Sequence, residues 1–296
     1  MNSYSHEIIN DDTRLQLHFL LPTSNDHYSP LHWHGHLEII FIQKGSMTAY
    51  INDRKYTLKK NDMLVVGSRE LHSTRTWGDT DYLLLQIPTD YLSRVLDNVS
   101  LIQFQEYFPS VTPDSAQGKL HDCLFELVKT YTEKEDGYLL HFSSVVYEFL
   151  YILYRNYSHR ISSETKEKEN RNFERMEEII QYVKSHYKQE ISLNNAAGLL
   201  SVSPEYFCRL FKKYTGQTFL EYVNAVRLTH FYRELFSTDY TITDLMARNG
   251  ITNYKLFIRT FKDTYGTTPG KLRAQAKSSS HTCLLYTSPS PRDVEE

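Results

Sequence analysis

The chain has 296 residues, with 33 Lys+Arg against 36 Asp+Glu, a formal net charge of −3, and 40% apolar residues. That length accommodates two ordinary domains, and no apolar run reaches the roughly eighteen residues that a membrane-spanning helix needs. Cys123, Cys208 and Cys283 are widely separated and form no C-x-x-C pair, which argues against a disulfide framework or a thiolate zinc site and fits a reducing cytoplasm.

The polar, acidic start MNSYSHEIINDD has no apolar core of the signal-peptide kind, so a cytoplasmic protein without a membrane partner is expected. Charge is unevenly placed: residues 171–277 carry 16 Lys+Arg against 10 Asp+Glu, whereas residues 1–170 carry 16 against 23. A basic rear half suits a polyanionic partner, although a solvated helical surface gives the same excess.

Residues 14–87 read as strands. RLQLHFLL, LEIIFIQ, MTAYI, KYTL, DMLVV and YLLLQI are short, rich in β-branched and aromatic residues, and separated by turn stretches such as NDR and KKND. Many short strands with close turns imply a small barrel or sandwich. Within this region LHWHGHLEIIFIQKG places His32, His34, His36 and Glu38 at even spacing, so one continuous strand would send all four side chains to the same face. GSRELH then supplies His72 at the end of a returning strand.

Three imidazoles and a carboxylate meeting in a barrel mouth suit Zn, Mn or Fe, and one reading is therefore a metal-dependent enzyme fused to a second module. Another is a metal-free pocket for a small polar ligand, with Trp33, Tyr50 and Trp77 as apolar platforms. A third leaves the histidines at a strand edge with no ligand. At this point the residues leave all three readings open.

From Lys119 to Tyr157 the period becomes helical, in two runs split by EKEDG, the second apolar enough to serve a partner chain in a homodimer. SHRISSETKEKENRN, residues 158–172, has little apolar content and reads as a flexible linker spanning about 20 Å r.m.s.. Residues 173–277 are helical throughout. Residues 278–296 show no period and two Ser-Pro steps, and are expected to be a disordered or non-native tail.

The rear half repeats itself: FCRLFKKYTGQTF starts at Phe207 and FIRTFKDTYGTTP at Phe257. Phe207, Leu210, Phe211 and Tyr214 lie at i, i+3, i+4 and i+7 and form one apolar face, while Glu205, Cys208, Arg209 and Lys212 occupy the other. Ser203-Pro204 suits an N-cap and first turn, Gly216 suits the left-handed position that ends a helix, and Thr218 with Glu221 opens the next helix as a capping box. In the second copy Thr252 caps, Phe257 and Phe261 face inward, and Tyr254, Lys255, Ile258, Arg259 and Lys262 face out.

A shorter helix precedes each, SLNNAAGLL and TITDLMARNG. A short helix, a tight turn and a longer helix with outward cations form the helix-turn-helix unit that lays its second helix in a major groove. TFLEYVNAVRLTHFYRELF between the copies would be a helix about 27 Å long, which suits two reading helices in successive major grooves about 34 Å apart.

These residues resemble the paired helix-turn-helix domain of AraC-type transcriptional regulators over Phe173–Gln275. The F-x-R-x-F-K core, the Gly and the following Thr occur in both copies, while Met246, Ile251 and Phe219 stand where the family usually has Ala, Phe and Pro. The H-x-H-x3-E-x6-G spacing at 32–45 similarly resembles the first motif of cupin barrels, and NDMLVVGSRELH the second, with Asn61 for Gly and Ser68 for Pro.

The resemblance implies a two-domain α+β protein: a cupin-like β-barrel with two flanking helices at 1–157, and an all-α seven-helix double helix-turn-helix domain at 173–277. It implies double-stranded DNA, a small effector such as a sugar, a second copy of the chain and RNA polymerase as partners, with activation as the output, and it favours the ligand pocket over the enzyme: no catalytic residue, no metal and no cofactor, with His32, Trp33, His34, His36, Glu38 and His72 binding the effector. Base- or phosphate-facing positions carried over are Ser203, Glu205, Tyr206, Cys208, Arg209 and Lys212 in the first copy and Asn253, Tyr254, Lys255, Ile258, Arg259 and Lys262 in the second. Arginine at 209 and 259 suits guanine, and lysine at 212 and 262 suits phosphate.

Overall fold

The computed structural model describes Glu7, Ile9 and residues 11–110 and 116–278, so the expected tail beyond Ser278 lies outside the described residues. The chain divides into two compact units: Met1–Ser185 with Ile191–Tyr222, and His186–Glu190 with the chain from Val223 onward.

The first unit opens with β1 (His18–Leu20), β2 (Thr23–Asn25), β3 (Tyr28–His32), β4 (His36–Ile51), β5 (Arg54–Lys59), β6 (Met63–Val66) and β7 (His72–Pro88). Its spine is the antiparallel pair β4 and β7, in register from His36↔Pro88 to Ile51↔His72. Strands β1, β2 and β3 pair with β7, and β5 and β6 with β4.

LEIIFIQ and MTAYI, expected as two strands, are one. Gly45 at φ +81° forms a bulge where the register shifts between Ile42, Lys44 and Ser46, and a Cβ there would stand 2.5 Å from the Asp79 carbonyl oxygen. Alternation along β4 then sorts the side chains. Leu37, Ile39 and Phe41 join an apolar cluster with helical residues, while Ile40, Ile42, Met47, Ala49 and Ile51 join Leu58, Leu64 and Val66 in a second one.

After β7 come α1 (Thr89–Ser93), a 3-10 turn at Val99–Leu101, β8 (Ile102–Phe104), β9 (Tyr107–Phe108), α2 (Ala116–Glu133) and α3 (Tyr138–Tyr157). Leu120, Leu124 and Leu127 of α2, and Phe142, Val146, Phe149 and Leu153 of α3, are fully buried against the first cluster. The two helices expected beside the strands are therefore present.

Residues 158–172 are not a flexible linker. Ser158–Arg160 form β10, antiparallel to β8, and α4 starts at Ser163 and runs to His186. Phe173, Met176, Ile179, Ile180 and Val183 bury one stripe of α4, and the Glu and Lys residues upstream, good helix formers, extend it on its solvated side.

Helices α5 (Leu193–Leu199), α6 (Pro204–Thr215), α7 (Phe219–Ser237), α8 (Ile242–Arg248), α9 (Tyr254–Tyr265) and α10 (Pro269–Ser278) follow, so α4–α10 supply seven helices among the described residues. Ser203 accepts from the Tyr206 N–H at 3.3 Å and Thr218 forms its box with Glu221, as the sequence implies. The cap of α9 differs: it is Asn253, whose Oδ1 accepts from the Leu256 N–H at 3.0 Å, rather than Thr252. An Asx cap one residue later sets the first turn. Gly216 and Gly266 close α6 and α9 at φ +71°.

Candidate functional site

The histidine motif does not lie on one strand. β3 ends at His32, β4 begins at His36, and His34 sits in the turn between them. Strand pairing does the rest, placing His32 opposite His72 and Glu38 opposite Gln86. His32, His34 and His72 come together, with side-chain nitrogens within 4.8 Å of one another and ring centroids 4.1 Å apart for His32 and His72. His36 leaves the group: its Nε2 lies 3.3 Å from Asp11 Oδ1. Trp33 turns to α4, edge-on to Phe173 at 5.0 Å. Tyr50 and Trp77 stand apart from the cluster as well, Tyr50 beside Gly216 and the half-exposed Trp77 donating to Thr48 Oγ1 at 2.9 Å.

At the centre is Glu38, 3% exposed. His34 Nε2 donates to its Oε2 at 2.9 Å and Gln86 Nε2 donates to the same oxygen at 2.7 Å. Burial raises the Glu38 carboxyl, but the His72 ring and the His34 hydrogen bond outweigh it and hold the group below the ordinary carboxylate range. Gln86 escapes motif reading, yet a lone amide inside the apolar run YLLLQI is the signal that could have found it, since a buried amide needs a polar partner.

Hydrogen bonds fix the tautomers. His32 Nδ1 donates to the Pro30 carbonyl at 2.8 Å and His72 Nδ1 donates to the Glu70 carbonyl at 2.9 Å. A ring anchored in this way, when neutral, carries its lone pair on Nε2. His72 Nε2 is buried without a hydrogen bond and lies 3.6 Å from Glu38 Oε1. Burial and the adjacent His32 ring push the His72 imidazole down to about 3, so it is neutral at neutral pH. For His32, burial pulls down but Glu7, 3.5 Å away, prevails and raises it. The site thus offers the His72 Nε2 lone pair and a carboxylate oxygen as acceptors, while His32 Nε2 faces Glu7.

The helix-turn-helix candidates divide by burial. Glu205, Tyr206, Cys208, Arg209 and Lys212 on α6 are exposed, as are Tyr254, Lys255, Arg259 and Lys262 on α9. Phe207 and Phe211 are fully buried, 5.2 and 5.4 Å from the Phe219 ring; Phe257 and Phe261 pack on Phe231 at 4.6 and 5.8 Å. Ile258 is the exception to the outward set: it is half-buried and packs on the Phe231 cluster. Ser203 and Asn253 are exposed caps whose side chains are engaged with their own helices.

Two family models match, the AraC-like ligand binding domain over residues 20–150 and a helix-turn-helix domain over residues 196–275. An HTH-type transcriptional regulator of Staphylococcus aureus strain COL is 23% identical over 263 residues, 88% of this chain and 34% of the relative. The regulatory protein PocR of Salmonella typhimurium is 31% identical over 107 residues, 36% of this chain and 35% of its own. The chain thus spans about a third of the length of these curated relatives. Among solved structures, ToxT of Vibrio cholerae aligns over 88% of this chain and 97% of its own at 12% identity and a TM-score of 0.41.

Proposed function

The chain belongs to the AraC type of transcriptional regulators, and on that premise we propose that it is a sequence-specific DNA-binding regulator controlled by a small molecule in its β-rich domain. Residues 1–157 form the effector and dimerisation part and residues 173–277 the DNA reader. One observation carries the reading: α6 and α9, fifty residues apart in the repeat, both bury paired phenylalanines and both leave an Arg and a Lys exposed at matching positions. Packing alone accounts for the phenylalanines. It does not account for the repeated cations.

Arg209 and Arg259 then read guanine, while Lys212 and Lys262 hold phosphate. Selected binding sites with single base-pair changes test this. Arg209→Ala and Arg259→Ala should each relax discrimination by about 1–3 kcal/mol, at separate positions about ten base pairs apart. Equal loss on every sequence from both variants would refute base reading.

The effector side follows from the acceptor-rich cluster. The unpaired His72 Nε2 and a buried carboxylate favour a ligand rich in hydroxyl donors, such as a sugar, and His34→Ala should abolish the effector response while DNA binding persists. Activation through RNA polymerase, a homodimer formed by α2 and α3, and a cytoplasmic setting complete the proposal. No described helix is long and apolar enough to cross a membrane.

A second reading has its own support. Imidazoles anchored through Nδ1 to carbonyls are the usual arrangement of metal-ligating histidines, and the donor set of His72 with its unpaired Nε2, His32 once released from Glu7, Glu38 and a reoriented His34 fits a divalent transition metal. Bound there, the ion would supply Lewis acidity and two positive charges. His34 would have to give up its hydrogen bond to Glu38. Elemental analysis of purified protein separates the two, since a stoichiometric metal lost in His72→Ala favours the second.

A further inference from the structure

Two neighbours of the histidine cluster do not face it. Trp33 stands between His32 and His34 in sequence and meets the Phe173 ring edge-on at 5.0 Å. Arg69 lies three residues before His72, and its guanidinium covers the same ring at 4.6 Å. Phe173 is 6% exposed and belongs to α4, where the neighbouring Asn172 side chain bonds Tyr214 of α6, in the same compact unit.

Both jaws are tied to the cluster by backbone. The Arg69 N–H donates to the His34 carbonyl at 2.8 Å, and Arg69 is held at φ +64°, a left-handed conformation uncommon for a residue with a Cβ. One residue on, the Glu70 carbonyl accepts from His72 Nδ1 at 2.9 Å. A displacement of His34 shifts the Trp33 peptide directly and Arg69 through its hydrogen bond. A displacement of His72 pulls on Glu70 and hence on Arg69. The neighbouring contact to α4, Gln103 Nε2 to Glu169 Oε1 at 3.1 Å, comes from β8 and touches neither motif loop.

We propose that Trp33 and Arg69 form a clasp on Phe173 that transmits the state of the histidine cluster to α4 and so to the first helix-turn-helix unit. The proposal rests on the reading of the cluster as the effector site and names how that site speaks to the DNA reader. Coupling through the clasp is reciprocal, because a ligand that alters its grip has its own affinity altered equally.

The test needs no ligand, so it stands apart from whether an effector binds. Hydrogen exchange of the α4–α6 amides is measured in the full chain for wild type, His34→Gln, Phe173→Ala and the double variant, with the β4 and β7 amides as a fold control. His34→Gln should raise α5 and α6 exchange by about tenfold with Phe173 present and by less than about twofold in its absence. The same fold-change in both backgrounds overturns the clasp.

If Phe173→Ala leaves α4–α6 fully exchanged, Arg69→Gln decides instead, since it opens one jaw and removes no buried ring. It should cut the His34→Gln effect by about half or more, and an undiminished effect overturns the proposal. With the coupling intact, failure of the effector reading would appear separately, as no ligand response in any variant.

Discussion

Gly216 and Gly266 end α6 and α9 at the same φ of +71°, and they differ in what surrounds them. A Cβ on Gly266 meets nothing within 4 Å, whereas on Gly216 it would stand 2.7 Å from the Asn52 carbonyl oxygen, with Tyr50 Cδ1 at 3.5 Å. Alanine at either position bears the left-handed backbone cost of about 1 kcal/mol. At 216 it also has to displace a backbone carbonyl at the end of β4, and overpacking of that kind adds about 1–3 kcal/mol.

Hydrogen exchange resolves each helix separately, which matters because a chain of two compact units has no single unfolding free energy. Gly266→Ala should speed exchange of the α9 amides about fivefold. Gly216→Ala should speed the α6 amides by roughly 30-fold to 1,000-fold, the factors corresponding to about 2–4 kcal/mol. Equal factors at the two helices would mean that the close approach of Asn52 to α6 is not part of the folded state in solution.

Two further outcomes follow from the sites. The His72 imidazole titrates at about 3 in the folded chain against 6.5 for a free one, so between these values the unfolded state binds more protons. Stability is fully present above about pH 6.5 and falls with acid by about 1.4 kcal/mol per pH unit below about 6. In chelator-treated protein His72→Gln should remove that component, and urea midpoints at pH 5 and 7 that shift equally in both proteins would contradict it. Lys212→Ala should weaken DNA binding alike across sequences and reduce the slope of log K against log salt by about 1, measured by anisotropy titration; a change confined to one base position would contradict phosphate contact.

Local pattern and tertiary pairing contributed differently to these features. The helices of the rear half were legible because amphipathic spacing, Ser and Thr caps and terminal glycines all act within one turn of chain. α6 and α9 emerged with their inward and outward faces as read, apart from Ile258 and the cap at Asn253. Residues 158–172 misled because low apolar content signals disorder only when no neighbouring stripe recruits the segment, and α4 extends backward from such a stripe. Even spacing of His32, His34, His36 and Glu38 implied one face, but the chain turns between β3 and β4, so His36 goes to Asp11.

By itself, then, the sequence determined the family resemblance, the two kinds of domain, the repeated helix-turn-helix pattern with its outward cations, and the residue types of the polar cluster. Each of these is written in contacts or periods a few residues long. Only the tertiary structure decided which three histidines meet, that Gln86 joins Glu38, and that Phe173 sits between Trp33 and Arg69. Those outcomes hang on the register of β3, β4 and β7 and on where α4 settles, and both are set by summed burial over residues far apart in the chain.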